Sequence, residues 1–248
     1  MRERMIHFME KNMRKGIVSK QKLWNQYKHL IPLLTYMLVY MVWWGHLEDT
    51  VTTQYQVIHM GIDDHIPFVE VFIIPYLAWF AYVSVTVVAL FFKDETKKDY
   101  YRCLTFLFTG MTLFLLISTL MPNGHQLRPT VMPRDNMFTR MIAELWKTDT
   151  PTNLWPSIHV YNSLGAHFAI AKSKAFERHK WLHYASLMLA MSIILSTMFI
   201  KQHSFFDVLT ALFLAAVMYV IVYKRDAATN MTGHGNHNHS TSLRHHTI

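Results

Sequence analysis

Two short polar patches hold the residues of this chain best equipped for chemistry. One reads Pro156-Ser157-Ile158-His159, the other Lys201-Gln202-His203-Ser204-Phe205-Phe206-Asp207. Each stands where a loop meets a long apolar segment. On a helix, His203 and Asp207 are four residues apart and share a face. Asp207 can then accept a hydrogen bond from one ring nitrogen, which fixes the tautomer and leaves the other nitrogen to attack. Lys201 adds a cation for anionic charge. The alternative is a snorkelling lysine beside a structural His–Asp pair. In the first patch, Pro156 suits the first turn of a helix, which puts Ser157, Ile158 and His159 in the opening turn. Free backbone N–H groups and the helix dipole favour an anion there. Ser157 is a further donor, and His159 can protonate a leaving oxygen. Alone, the same four residues also describe a helix cap with an interfacial histidine. A third element, Arg128-Pro129, offers a guanidinium suited to a bidentate grip on phosphate, or is a loop arginine at the surface.

The elements that must position these groups are apolar. Hydrophobic residues make up 52% of the 248 and charged residues 16%, against roughly a quarter charged in soluble domains. Six candidate spans follow: Ile31–Trp44, Ile66–Phe92, Leu104–Leu120, Pro156–Ala171, Trp181–Ile200 and Phe205–Tyr223. A crossing helix takes about 20 apolar residues, with about 17 as a lower bound. The fourth segment carries His159, Asn162, Ser163 and His167, so it must face a bundle interior if it spans. The fold class is therefore all-α, a six-span transmembrane helical bundle. With a cytoplasmic N-terminus, nineteen Lys and Arg fall inside and five outside (Arg128, Arg134, Arg140, Lys147 and Lys201), as the positive-inside rule requires. This asymmetry accounts for the net charge of +8 without nucleic acid. It also puts both histidine patches and the loop from Met121 to Trp155 on the outer face.

Three segments fill out the layout: a basic amphipathic N-terminal segment (1–30), a membrane domain (31–224) and a polar His-rich cytoplasmic tail (225–248). The first is too basic and interrupted for a signal peptide, and Met5–Leu23 is expected to rest on anionic inner-leaflet lipid. The tail reads as disordered, with metal binding by its histidines as the other option. Within the outer loop, Asp135-Asn136 can cap a helix. Its apolar face would hold Met137, Phe138, Met141, Ile142, Leu145 and Trp146, with Arg140 and Glu144 as an i,i+4 pair. Such a helix is either a lid over the site or a plain cap on the bundle. Cys103 is the only cysteine, so no intrachain disulfide can form.

Arg-Pro, then Pro-Ser-x-His, then His-x-x-x-Asp, each beside a span, resembles the type 2 phosphatidic acid phosphatase superfamily, which also includes soluble vanadium haloperoxidases. The resemblance runs from Arg128 to Asp207. It implies a phosphohydrolase that uses neither metal nor other cofactor. His203 would attack phosphorus to form a phosphohistidine, Asp207 would orient it, and His159 would protonate the leaving group. Arg128 and Ser157 would hold the phosphate. The substrate would be a lipid phosphate, such as phosphatidic acid or a polyprenyl diphosphate, drawn from surrounding membrane lipid, with no nucleic-acid partner. The expected location is a cell membrane, of bacterial type, with both termini cytoplasmic and the site extracytoplasmic. Three positions depart from the family pattern. Met121 stands where a lysine is usual, Ile158 where a glycine is, and Thr197 where an arginine is. Lys201, one helical turn beyond Thr197, is expected to take over part of the lost charge. A bulky residue before the histidine is similar to the inositol phosphorylceramide synthase-like branch, so a lipid phosphotransferase stands beside the phosphatase. A catalytically decayed membrane protein is the third reading.

Overall fold

The computed structural model describes residues 20–50 and 54–224. The expectations for the N-terminal residues up to 19 and for the His-rich tail lie outside the described residues. The chain divides into two compact units, Met1–Trp44 and Gly45–Ile248. In the first, residues 20–27 are helical, and the ring of Tyr36 stacks on that of Tyr40. Helix α1, Leu30–Asp49, starts in this unit. The second unit contains α2 (Ile73–Lys93), α3 (Lys98–Leu120), α4 (Met137–Thr148), α5 (Ile158–Lys172), α6 (Lys180–Phe199) and α7 (Phe205–Tyr219), which runs on as a π-helical turn over Val220–Lys224. Two short strands, β1 (Gln56–Val57) and β2 (Asn123–Gly124), pair in parallel, and Gly124 forms an antiparallel bridge to Thr152.

Among the described residues, five helical stretches are long and apolar enough to cross a membrane: Leu30–Asp49, Glu70–Lys93, Lys98–Leu120, Lys180–Phe199 and Phe205–Lys224. A helical membrane protein follows, because in hydrocarbon a helix satisfies every backbone N–H and C=O internally. Two expected boundaries move. The second span is expected from Ile66, but α2 opens at Ile73. Pro75 then falls in its first turn, where the missing N–H costs nothing; further inside, the ring would clash with a preceding carbonyl. The freed segment is used otherwise: Val69 N donates to Phe199 O, and Ile66 O accepts from the Lys201 ammonium.

The fourth expected span becomes α5, 15 residues long. At 1.5 Å per residue it extends about 22 Å, short of the roughly 30 Å hydrocarbon core. It is ringed by α2, α3, α6 and α7, and its polar Asn162 and Ser163 are buried. Close approach to α3 depends on two glycines. A Cβ at Gly110 would run into the edge of the Tyr161 ring, and one at Gly165 would lie 2.7 Å from Phe106 Cδ1. Tyr161 has little room to retreat, since its hydroxyl donates to Phe106 O at 2.8 Å. Gly110→Ala is therefore expected to destabilise the protein by about 1–3 kcal/mol through overpacking. A lowered thermal midpoint in detergent would show this.

Helix α4 is capped by Asn136, whose side chain accepts from Phe138 N and Thr139 N. Its apolar side, with Phe138, Met141, Ile142, Leu145 and Trp146, packs in a cluster with Ile73, Tyr76 and Ile200. The expected Arg140–Glu144 pair gives way to two others. Arg140 Nε lies 2.9 Å from Asp135, and Glu144 takes Lys147. Asp135, just ahead of the cap, reaches Arg140 directly.

Candidate active site

The two histidine patches meet. His203 Nε2 and His159 Nδ1 are 3.4 Å apart, with ring centroids at 5.6 Å. Three contacts bind the α5 and α7 openings together. Ser157 N donates to Asp207 O, Trp155 Nε1 donates to Thr210 Oγ1 at 2.9 Å, and the rings of Trp155 and Phe206 pack at 5.8 Å.

Local structure in both patches differs from the expectation. Helix α5 begins at Ile158, with Ser157 as N-cap accepting from Val160 N. Pro156 therefore precedes the helix, after a cis Trp155–Pro156 peptide. His159 sits between two rings of α2, stacked on Tyr76 at 4.6 Å and tilted against Trp79 at 4.4 Å. In the second patch, α7 begins only at Phe205, so His203 lies outside the helix. The capping box explains why. Ser204 Oγ accepts from Phe206 N, and Asp207 Oδ2 accepts from Ser204 N at 2.9 Å. The chain folds back at this cap, so His203 Nδ1 still comes within 3.4 Å of Asp207 Oδ2. Among the described residues, neither His203 Nδ1 nor Asp207 Oδ1 has a hydrogen-bond partner.

Arg128 is brought to the same place but is already engaged. Its Nη1 donates to Asp149 O at 2.8 Å and more weakly to Trp146 O, and its Nη2 donates to Gln202 Oε1. The guanidinium stands over the Trp146 ring. Both terminal nitrogens, which a bidentate grip on phosphate could use, are thus taken up by protein. The edge left without a partner among the described residues is Nε. Gln202 Nε2 continues the network to Asp149 Oδ2 at 2.8 Å and to the Tyr76 hydroxyl. This chain of bonds, from Arg128 through Gln202 to Asp149 and the Tyr76 ring on His159, has no counterpart among the sequence expectations. Gln202 stands in the second patch in plain view, but a glutamine there carries no chemical signal without its partners.

Lys201 does not face the histidine pair with a free charge. Its ammonium donates to Asp63 O at 3.0 Å and Ile66 O at 2.6 Å. The residue sits at φ 56°, in the position usually given to glycine at a helix end. Lys201 N bonds Met198 O and Gln202 N bonds Thr197 O, the two bonds of a Schellman motif. Thr197, expected to mark a lost arginine, is fully buried and supplies this carbonyl. Lys201 is a strained cap tied to a loop. Lys201→Gly is expected to cost less stability than Lys201→Ala, since glycine relieves a left-handed strain of about 1 kcal/mol. Thermal denaturation of the pair tests this ordering.

Asp63 is a buried carboxylate that sequence reasoning misses. It accepts from Phe205 N at 2.7 Å, from Ser204 Oγ and from Met60 N at 2.8 Å. Together, Asp63 and Lys201 clamp the loop 61–66 onto the turn that presents His203.

His125 closes the site from below the Arg-Pro element. Its Nδ1 accepts from Leu127 N at 3.2 Å, so its Nε2 donates to Gln202 O at 3.0 Å, which requires the neutral ring. Burial pushes His125 down to about 4. Burial and the nearby Arg128 guanidinium push His203 down to about 3. Both are thus neutral at neutral pH, and the fold resists their protonation. Depressed folded values mean this stability is full above the unfolded value near 6.5 and is lost as pH falls toward about 4. Asp149, raised by burial, offsets part of that loss by taking up a proton. The thermal midpoint is expected to decline from about pH 6.5 downward, as a pH series of melting curves would show.

Among the described residues, no group of three or more His, Cys, Asp or Glu could hold a metal ion. The arrangement is one for nucleophilic and acid chemistry: an imidazole with its Nδ1 toward a carboxylate and its Nε2 toward a second imidazole. Residues 124–230 match the family model described as the PAP2 superfamily. No curated protein matches, and no solved structure does.

Proposed function

The chain belongs, through residues 124–230, to the type 2 phosphatidic acid phosphatase (PAP2) superfamily, and from that premise we propose that it is an integral membrane lipid-phosphate phosphatase working through a phosphohistidine. The observation that carries this reading is the 3.4 Å approach of His203 Nε2 to His159 Nδ1, with Asp207 on the far side of the His203 ring. His203 Nε2 attacks phosphorus while Asp207 holds the Nδ1 proton. His159 gives its proton to the leaving oxygen, then takes one from the water that cleaves the phosphorus–nitrogen bond. Each nitrogen must stand roughly 3–3.5 Å from its reacting atom, so the phosphate must part the two rings on entry. Arg128 Nε and the indole N–H of Trp79 and Trp146 are buried donors without partners among the described residues. Of these, Arg128 Nε belongs to the proposed phosphate site, with Ser157 and the α5 N-terminus. Burial keeps His203 neutral, which leaves its lone pair available.

In this reading α5 makes the sixth crossing inside the bundle and α4 lies at the outer surface, over Tyr76. The distribution of nineteen Lys and Arg on one side and five on the other supports cytoplasmic termini and an extracytoplasmic site. The substrate is a lipid phosphate from the surrounding bilayer.

The test uses purified protein in detergent with phosphatidic acid and a polyprenyl diphosphate, with chelator present throughout. Phosphate release that persists with chelator and disappears in His159→Ala and His203→Ala is the expected result. Lipid phosphate consumed only when an alcohol is added, without free phosphate, would replace the hydrolase by a phosphotransferase with the same nucleophile. No turnover on either substrate would favour a decayed site.

A further inference from the structure

Two indole N–H groups beside the histidine pair are left unspent by the fold. Trp79 follows Tyr76 by three residues on α2, so the two rings share a face of that helix. Both pack on His159, with centroids at 4.4 Å for Trp79 and 4.6 Å for Tyr76. Trp146, on α4, belongs to the cluster around Tyr76 and lies under the Arg128 guanidinium at 5.4 Å. Each indole Nε1 is buried and has no hydrogen-bond partner among the described residues.

A buried indole N–H ordinarily finds an acceptor, as Trp155 does in Thr210 Oγ1 at 2.9 Å. The hydroxyls packed near the other two are engaged elsewhere. Trp79 rests on a cluster that includes Tyr82, whose hydroxyl bonds Ser186 Oγ at 2.6 Å. The Tyr76 hydroxyl accepts from Gln202 Nε2 and donates to Asp149 Oδ2. Arg128 Nε is unmet as well. Three unmet N–H donors therefore sit on Arg128 itself, on the ring beneath it and on a ring against His159. Donors left unpaired in a buried place are costly, and a ligand that brings acceptors removes the cost.

Charge is short at the same place. The Lys201 ammonium is spent on Asp63 O and Ile66 O, and Met121 and Thr197 carry none. A phosphate entering between the histidines brings several oxygen lone pairs and needs donors, charged or neutral. Granting the phosphohistidine mechanism proposed above, we infer that Trp79 and Trp146 bind the substrate phosphate, each donating its indole N–H to a phosphate oxygen beside Arg128 Nε. Neutral donors then supply part of the grip that Lys201, Met121 and Thr197 do not.

The test titrates orthovanadate, a phosphate analogue, into the full-length protein in detergent with its indole nitrogens isotopically labelled. The seven tryptophans give seven N–H signals by NMR, and Trp79→Phe and Trp146→Phe identify the two of interest. Both should move downfield and saturate as their N–H groups gain an anionic acceptor. Trp155, already bonded to Thr210, and Trp181, 65% exposed, should stay in place. Each Phe variant keeps a ring against its neighbour. It is expected to weaken orthovanadate about fivefold, the weight of one neutral hydrogen bond, and to raise KM for phosphatidic acid in proportion with kcat little changed. A ring that only packs would change the thermal midpoint and leave orthovanadate affinity as it is. Signals that stand still while orthovanadate binds overturn the inference and leave the phosphatase reading intact; absence of orthovanadate binding overturns it too. Moving signals without phosphate release from any lipid uphold the two donors and overturn the phosphatase reading. Where a variant does not fold, the titration of the parent protein decides: two signals moving with saturation support the inference, and none moving ends it.

Discussion

His203→Ala is expected to lower phosphate release by at least about 10⁴-fold, because it removes the group that forms the covalent intermediate in the proposed mechanism. His159→Ala should lose about 10²–10⁴-fold, the range for one general acid. The difference can be sharpened with the leaving group. A substrate whose leaving oxygen needs no proton, such as a nitrophenyl phosphate, should recover much of its rate in His159→Ala and none in His203→Ala. Asp207→Asn separates orientation from capping. An asparagine oxygen can still accept from Ser204 N, as Asp207 Oδ2 does at 2.9 Å, so the helix start survives. The same oxygen faces His203 Nδ1, but as part of a neutral amide it holds that proton less firmly, so turnover should fall, though by less than the roughly 10⁴-fold of a full tautomer change. Preserved thermal stability with reduced turnover is the expected pair of results. Equal turnover in Asp207→Asn and the parent protein would remove Asp207 from the mechanism.

Much of this site is legible in the sequence because membrane chemistry leaves few polar residues to choose from. A histidine at the mouth of an apolar segment is conspicuous, and His159 and His203 stand out for that reason. Charge bias along the chain leads to the expectation that both lie on one face, and the two rings do come within 3.4 Å of each other. What is not legible has a common physical cause: it depends on partners distant in sequence. Lys201 looks like a phosphate cation because its charge is visible in sequence, whereas its use as a left-handed cap bound to Asp63 O and Ile66 O is not. Arg128 is expected to grip phosphate in a bidentate manner, yet Gln202 and Asp149 O occupy its terminal nitrogens. The α2 boundary escapes notice although Pro75 marks it, because the segment from Ile66 to Phe92 is apolar apart from Glu70 near its start. The expected His203–Asp207 proximity is found with a different backbone. A capping turn, not a continuous helix, brings the two within 3.4 Å.

Asp63→Ala should produce the largest combined loss outside the histidine pair. The carboxylate is 1% exposed and accepts three hydrogen bonds, from Met60 N, Ser204 Oγ and Phe205 N. Truncation leaves Ser204 Oγ buried and unpaired, at about 1–3 kcal/mol, and strips the partly buried Met60 and Phe205 N–H groups of their acceptor, so a destabilisation of about 3 kcal/mol is expected. The loss should extend to chemistry although Asp63 touches no reacting atom. Ser204 is the N-cap of α7, directly after His203, and a displacement near 1 Å at a reacting group costs about 10²-fold. Asp63 is thus a positioning residue, and its signature is a fall in kcat with KM little changed. Asp63→Asn retains one acceptor oxygen and supplies an amide where two donors converge, so it should fall between Ala and the parent in both thermal midpoint and kcat. Thermal melts and steady-state rates measured on the same detergent preparations decide the matter. Parent-like values for Asp63→Ala in both would show that the loop at 61–66 does not hold the His203 turn.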